Sequence, residues 1–262
     1  MATTLFSSLT EKDKNSAIQR LIEESTPRDE FFMMTVLSVV MATFGLLIDS
    51  AAVIIGSMLI APLLSPVLGV SLGVVMADSR LILRSFFTIL KAIAWSLPFA
   101  VIVTLLFSSQ ADLNGYLNGE ILSRTEPSII FIAIAIVAGM AASFALIKPS
   151  LSATLPGVAI SVAIIPPLAV TGIGIARLDW SMTTDSFILF LINAIAIIFA
   201  SMIVFSLMNL YVKRPVAEKV IEKEDRELEK EKGKAEEAAE KSKEKNKILE
   251  KVDKVLEEVE KE

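Results

Sequence analysis

The sequence predicts an all-α membrane protein. Six transmembrane helices are expected as two inverted three-helix repeats with broken second helices, followed by a cytoplasmic C-terminal helix. Three observations carry that expectation. First, 53% of the 262 residues are hydrophobic and the mean hydropathy is +0.63, far from the soluble norm. Second, the stretch Gly56–Asp78, GSMLIAPLLSPVLGVSLGVVMAD, returns as Gly157–Asp179, GVAISVAIIPPLAVTGIGIARLD, offset by 101 positions without a gap. Third, charge is segregated: residues 31–212 carry few ionisable groups, whereas the last fifty are more than half Lys and Glu.

The repeat falls on helix breakers as well as aliphatics. Gly56 pairs with Gly157, Pro66 with Pro167, Gly73 with Gly174 and Asp78 with Asp179, and the match runs on through Ser85/Ser186, Phe86/Phe187 and Leu90/Leu191. Two apolar, Gly- and Pro-bearing segments also match by chance more often than polar ones. The structure has to decide.

Residues 1–30 form an amphipathic N-terminal segment: Thr10 with Asp13 resembles a helix start, Ile18, Leu21 and Ile22 make an apolar stripe, and Pro27 stops it. Repeat 1 covers 31–107. It opens with the uncharged run Phe31–Ile48, about the minimum length for a span. Ser50–Ala77 is uncharged for 28 residues. A straight helix of that length would reach about 42 Å, so it must tilt or break near Ala61–Pro66. Leu81–Phe107 follows, entered through Arg80 and Arg84 and containing Lys91. Residues 108–127 form an extracytoplasmic loop with Asn114-Gly115 and Asn118-Gly119 turn signals.

Repeat 2 covers 128–212: the span Ser128–Ile147, the second long segment Ser150–Ala176 interrupted by Pro156 and Pro166-Pro167, and the span Ser186–Val212. Residues 213–262 are a charged helix. Its apolar positions at Ile248, Leu249, Val252, Val255, Leu256 and Val259 would suit either a solvated helix or an oligomerising bundle.

With no basic-then-apolar signal peptide, the first span is expected to direct insertion. Lys12, Lys14, Arg20, Arg28, Arg80, Arg84, Lys148, Lys213 and Arg214 fall on one side of six spans, and only Arg124 and Arg177 on the other. The positive-inside rule then predicts an inner-membrane, multi-pass protein with both termini cytoplasmic. Three spans per repeat would insert the second copy upside down, bringing both breaks together near the midplane.

With no His and no Cys, thiolate chemistry, disulfides and His-based metal or acid–base sites are excluded. No catalytic motif, cofactor site or metal site is expected, and no basic aromatic patch suggests nucleic acid. Helix breaks in lipid survive only where protein or water covers them, so they mark candidate pore or binding positions. Those positions are Pro62, Ser65, Pro66 and Gly69 in the first copy and Pro166, Pro167 and Thr171 in the second. The half-helix N-termini there would favour an anion. The competing reading is that the prolines kink helices and the small residues permit close packing. Lys91 is either a pore-facing charge or a side chain that snorkels to the interface. Asp49, Asp78 and Asp179 would cap or anchor span ends.

The run LLIDSAAVIIGSMLIAPLLSPVLGVSLGV, followed by a basic-flanked span, resembles a widespread archaeal and bacterial family of uncharacterised hydrophobic membrane proteins, classed as a domain of unknown function. The resemblance covers roughly residues 30–212, is most specific over Asp49–Gly73, and implies a polytopic membrane protein. It transfers no substrate and no site residue. The expected function is a channel or passive transporter for a small ion or solute, in the lipid bilayer and as a homo-oligomer. A non-conducting scaffold or sensor acting through the C-terminal helix is the alternative.

Overall fold

The computed structural model describes residues 10–111, 118–126, 128–148, 156–231 and 233–234. The turn signal at Asn114-Gly115 and the apolar face at 248–259 lie outside them, as do the side chains of 156–163. Every described element is helical.

Helix α1 (Glu11–Glu24) starts where the sequence predicts. The Thr10 hydroxyl accepts from Asp13 N at 3.2 Å, and the Asp13 carboxylate accepts from Thr10 N at 3.0 Å, a reciprocal capping box. Ala17, Ile18, Leu21 and Ile22 are buried on one face. Lys213, 2.5 Å from the Glu11 carboxylate, holds that carboxyl below its ordinary range. This contact is therefore present above the ordinary carboxylate pKa and is lost as pH falls through the lowered one.

Four helices are long and apolar enough to cross a membrane: α2 (Asp29–Leu47), α5 (Ser79–Ala111, over Ser79–Phe107), α7 (Ile129–Ile147) and α9 (Trp180–Leu207). A fifth span arises if α3 (Ala51–Ile60) and α4 (Leu64–Met76) count as one bent pair, with 54° between them. Helix α8 (Pro156–Arg177) contributes a shorter apolar stretch, Ile164–Arg177. The described residues thus supply four to five spans where the sequence predicted six. Helix α6 (Gly119–Leu122) is a single turn, and Leu210–Lys213 is a 3₁₀ turn after α9.

One half of the predicted break is present and the other is absent. Pro62 disfavours helical geometry in the residue before it, and Ala61 accordingly turns extended at ψ 121°. Pro66 sits in the first turn of α4, where its missing N–H has no helical acceptor to serve. In the second copy, Pro166 and Pro167 lie inside the continuous α8. The position equivalent to Pro62 is Ala163, so nothing forces the chain out of the helix there. Among the described residues the break is present in the first copy, and the break expected at Pro166-Pro167 in the second is absent.

The repeat is firmest at its corners. At the end of α4, Asp78 N donates to Gly73 O at 2.9 Å, Ala77 N donates to Val74 O at 3.1 Å, and Ala77 is left-handed at φ 52°. At the end of α8, Asp179 N donates to Gly174 O at 2.9 Å, Leu178 N to Ile175 O at 3.2 Å, and Leu178 has φ 57°. Both are Schellman motifs. Each glycine admits the next helix: a Cβ on Gly73 would lie 2.9 Å from Ile82 N, and one on Gly174 would lie 2.9 Å from Thr183 N. Ile82 and Thr183 are themselves 101 positions apart. Each aspartate then caps the helix that follows, Asp78 through Arg80 N at 2.9 Å and Asp179 through Met182 N at 3.0 Å.

A third corner of the same build joins α2 to α3. Ser50 N donates to Gly45 O at 2.8 Å, Asp49 has φ 54°, and Gly45 faces Ile54 N. Here Asp49 does not cap its helix but accepts from Glu120 N at 3.1 Å, tying α6 to this corner.

Helix α8 lies at the centre, with every residue from Ile164 to Ile173 buried. It packs on α2, α3, α5, α7 and α9. Large apolar side chains on α2, α5, α7 and α9, among them Leu37, Trp95, Val137 and Phe199, stay exposed, as a membrane-facing surface requires. Residues 214–218 are helical and close this unit. The second unit, 219–262, is helical over its described part to 231 and carries a Lys223–Glu227 ion pair at 3.8 Å.

Candidate functional site at the α3–α4 break

Ending a helix at Ile60 orphans the carbonyls of its last turn. The first of them, Ser57 O, accepts from the Ser38 hydroxyl on α2 at 2.7 Å. Leu59 and Ile60, the last residues of α3, line a cleft of about 620 Å³. Its walls include Ala61, Pro62, Leu64 and Ser65 from the break, and Glu23, Glu24, Thr26, Arg28 and Glu30 from the α1–α2 connection.

The end of α1 is seated on the break. Ser25 is fully buried, and its hydroxyl is shared between Leu21 O at 2.6 Å and Ser65 O at 2.8 Å. Ser65 donates its own hydroxyl to Glu24 Oε2 at 2.7 Å, while Arg20 holds the other carboxylate oxygen at 2.6 Å. Thr88 on α5 donates to Ser25 O at 3.3 Å. Gly69 makes this seat, since a Cβ there would lie 2.7 Å from Ser25 Oγ. A carboxylate thus already occupies the N-terminal end of α4, where the helix dipole favours negative charge.

The predicted positions divide into three places. Pro62 and Ser65 line the cleft, and Pro66 and Gly69 sit directly behind it on α4. Pro166, Pro167 and Thr171 are buried in α8, with the Thr171 hydroxyl turned back on Pro167 O at 2.8 Å. The α3–α4 cleft is not lined by Pro166, Pro167 or Thr171. Lys91 lies apart, exposed in a groove between α2 and α5 beside Asp29. The cleft itself opens beside Arg28, Glu30 and Phe31 at the start of α2, whereas the middle of α2, at Ser38, faces Ser57. The cleft therefore lies toward the charged start of α2.

Residues 58–199 match the domain of unknown function DUF389. That is more than half of the sequence. The chain belongs to the DUF389 family. A relative, the uncharacterized protein MJ0678 of Methanocaldococcus jannaschii, is 32% identical over 213 residues, which is 78% of this chain and 65% of the relative. This DUF389 chain thus spans just under two thirds of that relative's length. No solved structure matches it.

The DUF389 region takes in the break and α4 onward, while α1 and Ser38 precede it. Sequence reasoning missed Glu24, Ser25 and Ser38, the groups that cover the break. Polar residues at the end of an amphipathic helix, just before a span, were the available signal. It also missed the Gly45 corner, although Gly45–Ser50 repeats the Gly73–Asp78 spacing.

Proposed function

We propose that this DUF389 protein is a membrane channel or passive transporter for a small ion or solute, and that the α3–α4 cleft is its binding or permeation site. The observation that carries the proposal is the interruption of an otherwise uncharged, spanning-length segment at Ala61–Leu63, opening into a cleft with ionisable walls. Discontinuous helices in lipid are retained where they line a cavity.

The sign of the cargo follows from which end of each half-helix is taken. Glu24 fills the α4 N-terminus, so an anion there would have to displace it. The α3 C-terminus presents carbonyl oxygens, and Glu23 and Glu30 outnumber the one Arg28 in the same cleft. The reading is therefore a small cation or cationic solute, reversing the sequence-based leaning toward an anion. Six spans in two inverted repeats, cytoplasmic termini and a homo-oligomer complete the proposal, supported by the matched corners and the basic-residue asymmetry.

The test is ion flux across liposomes holding the purified protein, scanned over simple cations and anions. Cation-selective flux is expected. Ser65→Ala removes the donor of a charge-assisted hydrogen bond and Glu24→Gln removes its charge, and each should change flux by about tenfold. Thr171→Ala should leave it unchanged. Flux at the empty-liposome level under all ions, with fold and oligomer intact, would end the conduction reading. The scaffold alternative would then be tested by deleting residues 217–262.

A further inference from the structure

The groove holding Lys91 is built from two parallel helical stripes. On α2 they are Asp29, Phe32, Met33, Val36 and Leu37, and on α5 Lys91, Trp95 and Phe99. Each stripe advances eight residues, about 12 Å along its helix. The helices run in the same direction, since Phe44 and Phe107 meet at 5.2 Å further along the pair. Charge is confined to one end of the groove and the remainder is apolar, in a volume of about 590 Å³.

At the charged end one cation and one anion face the same space from opposite walls. Both are exposed, and no ion pair joins them among the described residues. Beyond them the lining is aromatic and aliphatic, with Trp95 59% and Leu37 48% exposed. A small polar ligand would leave that part of the groove uncovered. An ordinary acyl chain would fill it but would leave the charges unanswered.

We propose that this groove binds a phospholipid whose headgroup carries a phosphate and a primary ammonium group. The phosphate meets Lys91, the ammonium meets Asp29, and an acyl chain follows Val36, Leu37 and Phe99. The two charges of such a headgroup complement the two charges of the groove. A purely anionic headgroup would place unbalanced negative charge against Asp29, and a quaternary ammonium has no N–H to donate. Trp95, one turn below Lys91, stands where an indole meets the headgroup–chain boundary. The proposal rests on membrane insertion and is independent of transport. Its readout requires no flux.

Trp95 and Trp180 are the two tryptophans of the chain, so one substitution isolates the probe. Trp180→Phe protein is reconstituted in phosphatidylcholine bilayers, and phosphatidylethanolamine with brominated acyl chains is titrated in. Quenching of Trp95 gives the relative binding constant of the two lipids. A preference of about threefold for the ethanolamine lipid is expected, the upper range for a partly exposed charge pair. Asp29→Asn should return the ratio to about one, and Lys91→Gln should lower it as well. Trp180, read alone in Trp95→Phe protein, should show no preference. A ratio near one at Trp95 would overturn the proposal, as would a preference that survives both substitutions. Stronger quenching by brominated phosphatidylglycerol than by the ethanolamine lipid would overturn the ammonium assignment.

Discussion

The two central elements of this protein start from matching sequences and end as different objects. The α3–α4 segment is broken at Ala61–Leu63 and bent by 54°, whereas its counterpart α8 runs unbroken through two adjacent prolines. The number of prolines does not explain the difference, because each copy has two near the site. Position explains it. Pro62 forces its predecessor out of helical geometry at a place where Ser38 and the end of α1 stand ready to receive the freed groups. Pro166 and Pro167 fall one turn later, on the most buried stretch of the bundle. There a break would expose backbone with no polar partner.

That contrast can be broken by exchanging the residues that make it. Ala163→Pro puts the missing proline into α8, and it should cost about 3 kcal/mol or more, the usual penalty inside a helix. The reciprocal Pro62→Ala should be far milder, since the break would lose its cause while its covering contacts remain. Denaturation midpoints in one detergent would rank them. Equal losses would mean that proline placement does not set the difference.

Much of this fold was legible because its punctuation is chemical. Gly73 and Gly174, Asp78 and Asp179 mark corners whose equivalent backbone hydrogen bonds agree to within 0.2 Å. The Thr10–Asp13 box was equally readable. The site was less so. Glu24 and Ser25 lie 41 and 40 residues from Ser65, and only tertiary packing brings them to the break. Lys91 appeared to lie deep in a span because α5 overhangs its partner, with 33 residues against the 19 of α2. A hydropathy run gives the length of a helix but not where its neighbours begin.

The corners themselves are the sharper test of the repeat. A side chain larger than hydrogen at Gly73 or Gly174 would press on the backbone nitrogen of Ile82 or Thr183, each 2.9 Å from the added Cβ. Gly73→Val and Gly174→Val should therefore destabilise by similar amounts, about 2 kcal/mol or somewhat more. Thermal unfolding of the two variants against the parent would show whether the copies share one energetic as well as one geometric design. A large loss at one corner and none at the other would confine the resemblance to backbone shape.

The smallest effect runs in the opposite direction. Ala77 and Leu178 hold left-handed backbone at φ 52° and 57°, a conformation that costs a residue with a Cβ about 1 kcal/mol and glycine almost nothing. Glycine is the usual occupant of this position in a Schellman motif. Glycine also gives the unfolded chain more freedom, which offsets part of the gain. Ala77→Gly should thus stabilise by about 0.5 kcal/mol. Leu178→Gly should gain about as much, because Leu178 is 74% exposed and gives up little packing. If both substitutions instead lower the unfolding temperature, the left-handed residues are held by contacts of their own, and the two corners owe their shape to packing more than to the glycine and aspartate that flank them.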